Sequence, residues 1–393
     1  MKSMLKLLSV FFTIFLCSCH PAPRPADTQQ SAEVPVPAAG RWTAEKANQW
    51  YQQQGGWLVG CNYTPAYAIN QLEMWQAATF DTARIDLELG WAQKLGFNVV
   101  RVFLQNLLWE QDSTGFLQRM DQFLTIADRH GIGAMFVFFD ACWNPDPKLG
   151  TQPAPRPHVH NSGWVQSPGA AILSDTSRYG ELKAYLQGVM QHFKDDRRVK
   201  LWDLFNEPDN DNGGRFPDEL KDKYQYAFIL LKDAFQWARE VNPSQPLTVA
   251  PWHRDWSDTA KMDPMDRFMF DHSDVISFHC YETQASTSSK VQLLQRYGRP
   301  LICSEYMARP TGSTFEQILP LFKTQHVGAI NWGFVDGKTQ TIYPWDSWQK
   351  KYTAAPKVWF HDILHHDGTP YDPKEVALIR QLTGQEQGAS GAK

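Results

Sequence analysis

From Gly56 onward, short runs of β-branched and aromatic residues alternate with longer stretches whose apolar positions recur every three or four residues. The runs predict strands at 57–62, 98–103, 133–139, 199–206, 247–252, 275–281, 301–305 and 329–333. Between them the helical period predicts segments such as 116–129, apolar at 116, 117, 120, 123, 124 and 127, and 220–241. Gly96, Gly131 and Gly298 fall where a helix must stop before the next strand, a position that favours the left-handed backbone glycine adopts freely. A further helix at 41–54 precedes the first strand and is expected to cover the bottom of the sheet. Strands and helices in alternation build a parallel sheet, and eight such units in about 330 residues close a barrel more readily than an open doubly wound sheet. The open sheet would also want a Gly-rich phosphate turn after its first strand, and the sequence has none there. The expectation is one α/β domain, a (β/α)8 barrel over 41–385.

The two ends depart from this pattern. Lys2 and Lys6 precede the apolar stretch from Leu7 to Leu16, which is too short to span a bilayer and runs into Leu16-Cys17-Ser18-Cys19. This segment resembles a bacterial lipoprotein signal over 1–18, which implies cleavage before Cys19, lipidation of its thiol, and anchoring of an exported protein to a bacterial membrane facing the periplasm or cell surface. A plain secretory signal is the alternative. Residues 19–40, rich in Pro and Ala, have too few apolar side chains to pack and are expected to form a tether, and 386–393 a disordered tail.

Composition adds two points. The 13% of aromatic residues, sixteen of them Trp, exceeds what a core usually needs; about half of the Trp should fill the core, leaving others to stack on sugar faces. A net charge of −4 with no basic run argues against a nucleic-acid partner. Cys61, Cys142, Cys280 and Cys303 lie in or at the ends of predicted strands; they are expected to be buried free thiols, since a domain this large needs no staples, although pairing stays open. No Cys/His spacing suggests a metal centre, and no cofactor is expected.

The candidate chemistry lies where apolar runs end: Leu201-Trp202-Asp203-Leu204-Phe205-Asn206-Glu207-Pro208 and Pro300-Leu301-Ile302-Cys303-Ser304-Glu305. A carboxyl group at the mouth of a buried strand is costly to place without a task. Two of them in a chain of barrel length suit glycoside hydrolysis, where one carboxyl donates a proton and the other attacks or activates water. Asn206-Glu207-Pro208 on the fourth strand with Glu305 on the seventh resembles glycoside hydrolase family 5, and the resemblance covers nearly the whole body. It implies that Glu207 is the acid/base and Glu305 the nucleophile of a retaining β-glycosidase, with carboxyl groups about 5–5.5 Å apart. By the same resemblance Arg101 keeps the nucleophile ionised, Asn206 donates to a sugar 2-hydroxyl, His279 and Tyr281 orient Glu207 and Glu305 respectively, and Trp332 forms a platform under the sugar.

Some residues fall outside the family pattern. The third strand ends in Phe138-Phe139-Asp140-Ala141-Cys142-Trp143, where many relatives carry a His; Asp140 either bonds a sugar hydroxyl or caps the loop. Trp143 opens a long insertion, 143–174, read as a wall of the substrate cleft. Within it, His158-x-His160 suits sugar hydrogen bonding or solvation better than a metal. Asn62-Tyr63 with Glu73-Met74-Trp75 could recognise a terminal sugar, which would favour exo action. Asp209-Asn210-Asp211-Asn212-Gly213 imitates part of a calcium loop but lacks the distal Glu. The expected substrate is a β-1,4-linked glucan or mannan, then xylan or a small β-glycoside; a glycan-binding lipoprotein on an inactive barrel is the competing reading.

Overall fold

The computed structural model describes residues 40–385; the signal, Cys19, most of the tether and the tail lie outside them. Eight parallel strands run β1 Val59–Asn62, β2 Val99–Phe103, β3 Gly133–Asp140, β4 Val199–Asn206, β5 Leu247–Ala250, β6 Ile276–His279, β7 Leu301–Glu305 and β8 Gly328–Asn331. They pair in the order β5-β4-β3-β2-β1-β8-β7-β6. The seam between β5 and β6 is joined by Asp274 N–H on Leu247 O at 2.8 Å, the Thr248 hydroxyl on Val275 O at 2.7 Å and His279 N–H on Pro251 O at 3.0 Å. The ring is therefore a (β/α)8 barrel, as the alternating pattern predicts.

The helices are α1 Ala44–Gln53, α2 Gln71–Trp75, α3 Thr82–Lys94, α4 Asn106–Arg129, α5 Ala170–Leu173, α6 Tyr179–Phe193, α7 Lys223–Val241, α8 Pro264–His272, α9 Gln284–Leu294, α10 Phe315–Thr324 and α11 Pro373–Thr383. Helix α1, capped by the Thr43 hydroxyl on Lys46 N–H, brings Tyr51 against Leu58, Val99, Met135, Leu201, Ile302 and Ile330. These side chains come from successive strands and form a separate apolar floor, so α1 does close the bottom of the barrel. Helix α4 starts ten residues before the predicted apolar period, because Asp112 at φ −161°, ψ 80° separates a short first part, which carries Leu107, Leu108 and Trp109, from the amphipathic segment beginning at Phe116.

Several strands end earlier at the mouth than predicted. Pro251 has no N–H to continue β5, and Gly333 at φ +82° turns the chain just past β8, leaving Trp332 and Tyr281 beyond strand ends. Gly60 is required where β1 meets β2, since a Cβ there would lie 1.7 Å from Val99 O. Cys61, Cys142, Cys280 and Cys303 are buried free thiols. Seven of the sixteen Trp are buried; of the others Trp50, Trp91 and Trp109 lie on helices, and Trp143, Trp252, Trp332, Trp345 and Trp348 stand past the strand ends. Among the described residues no helix is long and apolar enough to cross a membrane.

Candidate active site

Arg101 organises the mouth of the barrel. It is fully buried on β2, and every direction of its planar fork is used. Asp203 Oδ2 accepts from Nη2 at 2.8 Å and Nε at 3.0 Å, Glu305 Oε1 and Asn62 Oδ1 from Nη1 at 2.7 and 2.9 Å, and Asn206 Oδ1 from Nη2 at 2.7 Å. Burial alone would weaken the guanidinium charge, but Asp203 and Glu305 outweigh it and hold the pKa above its ordinary value. A buried cation with two buried carboxylates is stable only as a fully bonded set.

The two glutamates sit in different surroundings. Glu305 takes Arg101 on one oxygen and the Tyr281 hydroxyl on the other, at 2.7 Å each. Glu207 has no cation in contact: His279 Nδ1 meets Oε1 at 2.7 Å, while Oε2 accepts from Asn210 Nδ2 at 2.6 Å and from the Cys142 thiol at 3.3 Å. Burial pushes both carboxyls up; Glu207 reaches about 6 against its hydrogen bonds, whereas the Arg101 charge and the Tyr281 hydroxyl oppose the rise at Glu305. A single proton held by the pair belongs on Glu207, which lacks the direct guanidinium contact. Burial also pulls His279 down to about 4, so the ring is neutral near pH 7. Its Nδ1 is 3.5 Å from Glu305 Oε2, and one oxygen of each carboxylate and a ring nitrogen of His279 lie within 4.8 Å of one another. Glu207 itself has φ +42°, a backbone state that the turn after β4 imposes on a residue with a side chain.

Above the carboxylates opens a cleft of about 830 Å³ with Trp143, Trp164, Trp252, Trp332 and Trp345 in its walls. Trp332 stands edge-on to Phe103 and Trp164, at 5.8 and 5.9 Å between centroids, and Trp143 stacks on Trp348 at 5.2 Å. The structure thus brings Arg101, Asn206, Glu207, His279, Tyr281, Glu305, Trp143 and Trp332 to one place. Asn206 also lines the cleft, with one amide hydrogen already on Asp140 Oδ1 at 2.9 Å.

Other expectations need correction. Asp140 is buried with both oxygens used, by Cys142 N–H and Asn206 on one and Trp164 Nε1 at 2.7 Å and Gln71 on the other, so it caps the loop rather than meeting a sugar. Tyr63 and Trp75 are buried at 1% and 0% exposure; the Tyr63 hydroxyl is on Glu88, Glu73 pairs with Lys338, and Asn62 is on Arg101, so none of this set lines the wide cleft, and Asn62 and Tyr63 border only the narrow space past Trp332. Strand alternation and helix periodicity point these side chains into the body. His160 is buried rather than solvated, pushed down to about 4 by desolvation, and its Nδ1–H donates to Tyr343 O at 2.9 Å. Asp209 is held by Trp252 Nε1, His253 and Arg254.

Sequence reading missed Asp203, Cys142, Asn210 and Trp345. Asp203 left one signal, an acid alone in the apolar run Leu201–Phe205 of a buried strand. The other three stand on loops, where periodicity gives no direction.

A buried carboxylate pair at the ends of β4 and β7, under an aromatic cleft, defines a glycosidase-type barrel. The model of the cellulase family (glycosyl hydrolase family 5) matches residues 90–337, and the chain belongs to this family. It is a glycosidase that hydrolyses O-glycosyl bonds. Among solved structures, the GH5_18 protein of Streptomyces cattleya in complex with Manβ1-4GlcNAc aligns at TM-score 0.57 and 14% identity over 86% of this chain and 83% of that one. An exo-β-1,4-mannosidase of Opitutaceae bacterium strain TAV5 aligns at 0.53 and 18% identity over 84% and 60%. The endo-β-1,4-mannanase of Thermotoga petrophila aligns at 0.52 and 13% identity over 86% and 78%. No curated protein matches the chain.

Proposed function

We propose that the protein is a retaining β-glycoside hydrolase acting on β-1,4-linked oligo- or polysaccharide, with mannose-based chains tried first and glucans second. The observation that carries retention is the carboxylate pair, whose nearest oxygens lie within 4.8 Å. That gap suits direct attack at the anomeric carbon and is shorter than the roughly 6.5–9.5 Å between carboxyl groups of an inverting pair, which hold a water between them. The unequal surroundings support the assignment of roles. Glu305, fixed by Arg101 and Tyr281, attacks the anomeric carbon as the C–O bond to the leaving sugar breaks. Glu207, carrying the proton, delivers it to the departing oxygen. The same carboxylate then removes a proton from water as that water displaces Glu305, which restores both groups. Neutral His279 holds Oε1 of Glu207 through Nδ1–H, and Trp332 offers its face to the bound sugar. Two of the similar structures, an exo-β-1,4-mannosidase and an endo-β-1,4-mannanase, support mannose as the first substrate class. Leu16-Cys17-Ser18-Cys19 supports an anchored catalytic body joined by a tether to lipid on Cys19.

Proton NMR of the first-formed product tests retention: the β-anomer is expected before mutarotation, and the α-anomer would sink the double-displacement reading. A second expectation concerns Asn210, which draws the Glu207 pKa down through its 2.6 Å bond. In Asn210→Ala that pull is gone, so the acid stays protonated to higher pH. The alkaline limb of the kcat/KM profile should move up by about one unit, the worth of a hydrogen bond to a charged group.

A further inference from the structure

The cleft is built with two unlike sides. On one, the loop after β3 and the long segment after β8 are laced together across the barrel mouth. Asn161 N–H donates to Thr339 O at 2.8 Å, His158 N–H to Gln340 Oε1 at 2.8 Å, and Gln340 Nε2 to Arg156 O at 2.7 Å. Further along, His160 N–H donates to Ser347 Oγ at 3.0 Å, Trp348 Nε1–H to His160 O at 2.7 Å, and His160 Nδ1–H to Tyr343 O. The seam reaches the loop after β4 as well, where Phe216 packs edge-on against Trp348 at 5.3 Å, beside the Trp143–Trp348 stack. At its inner face His160, Asn161 and Trp164 are 1%, 1% and 2% exposed. Past Trp332 and Trp164 the space narrows to about 20 Å³, which admits a water and no sugar ring. Each bond contributes only about 1 kcal/mol net, but a set of them between two loops, with buried aromatic contacts, makes a fixed wall rather than a lid.

On the opposite side the links join neighbouring loops, Asp209 after β4 to Trp252, His253 and Arg254 after β5, and no comparable seam spans the cleft among the described residues. There the cleft runs out between the loops after β4, β5 and β6, past the exposed Asp211, Asp255 and Glu282. Polar exposed groups at a rim suit a hydrated chain passing over them.

From this asymmetry, and resting on the glycosidase reading above, we propose that the cleft is a dead-ended pocket and that the enzyme acts on chain ends. The sugar whose anomeric carbon Glu305 attacks lies against Trp332, with the wall behind it. The leaving chain extends from the Glu207 side through the open rim. A chain threaded through from both directions would collide with the His158–Trp164 seam, so hydrolysis removes short units of one size from the non-reducing end.

The test uses the wild-type protein with β-1,4-manno-oligosaccharides of three to six sugars carrying a fluorescent label on the reducing end, and the matching cello-series. Expected is a ladder of labelled products that shortens by one constant step, with a single unlabelled product, and a mannan solution whose reducing sugar rises tenfold before its viscosity falls appreciably. Early mid-length labelled fragments with rapid loss of viscosity would overturn the dead-ended pocket while leaving the glycosidase reading intact. Hydrolysis of neither series would overturn the proposed substrate and this inference with it. In Trp348→Ala, which loosens the seam, internal cleavage is expected to rise at least severalfold, with a thermal melt showing that the barrel is still folded.

Discussion

Glu305→Ala is expected to lose about 10⁴-fold or more in kcat on the proposed double displacement, because it removes the carboxylate that Arg101 and Tyr281 fix for the covalent step. The loss alone would not separate a nucleophile from a structural carboxylate. Two further readings do. Azide, small enough to enter the space left by the side chain, should restore turnover of an activated aryl glycoside and yield a glycosyl azide, whereas a merely structural defect would not respond to it. Glu207→Ala should behave differently: turnover of a substrate whose leaving group needs no proton should fall far less than that of an oligosaccharide, whose loss is about 10²–10⁴-fold. If both variants lost the two substrates equally, the division of roles would be wrong.

The second large effect is expected at Arg101, and it falls on stability as much as on rate. Arg101→Met strips the cation from Asp203 and Glu305, which are both buried and within 3.0 Å of it. Leaving one side of a buried ion pair uncompensated costs about 3–5 kcal/mol. The melting temperature should therefore fall by several degrees, and activity should vanish even where the protein is folded, because Glu305 loses the partner that opposes its protonation. Arg101→Lys separates the two effects. A single ammonium restores charge but cannot reach Asp203, Asn206, Asn62 and Glu305 together, so it should recover much of the melting temperature and little of kcat. A Lys variant with near wild-type activity would show that charge alone suffices.

How much of this was legible in the chain follows from the physics of each signal. Strands and helices announce themselves through burial periodicity, and so did the positions where that periodicity delivers a carboxylate, at Glu207 and Glu305. Arg101, a charge in a strand of Val and Phe, came instead through the family resemblance. The periodicity stops at the strand end, and with it the direction of every side chain on a loop. Asn210 is three residues past Glu207 and returns to it only because the turn after β4 is tight; Gln340 finds Arg156 across 184 residues. Glu73-Met74-Trp75 misled because polar and aromatic residues near a site look the same whether they face a sugar or, like Trp75, the core.

The left-handed backbone at Glu207 has counterparts at Trp143, Arg254 and Met307, with φ between 42° and 82°, each within a few residues of a strand end at the barrel mouth. Such conformations cost about 1–3 kcal/mol each for residues other than glycine. The body of the barrel therefore has to be more stable than folding alone demands, because it carries the tension of the rim. A search for heat-resistant descendants of this protein would meet that tension directly: glycine at 143 or 207 relaxes the chain, and removes the indole in the cleft wall or the Glu207 carboxyl. Durability and turnover are set against each other at the same few peptide bonds.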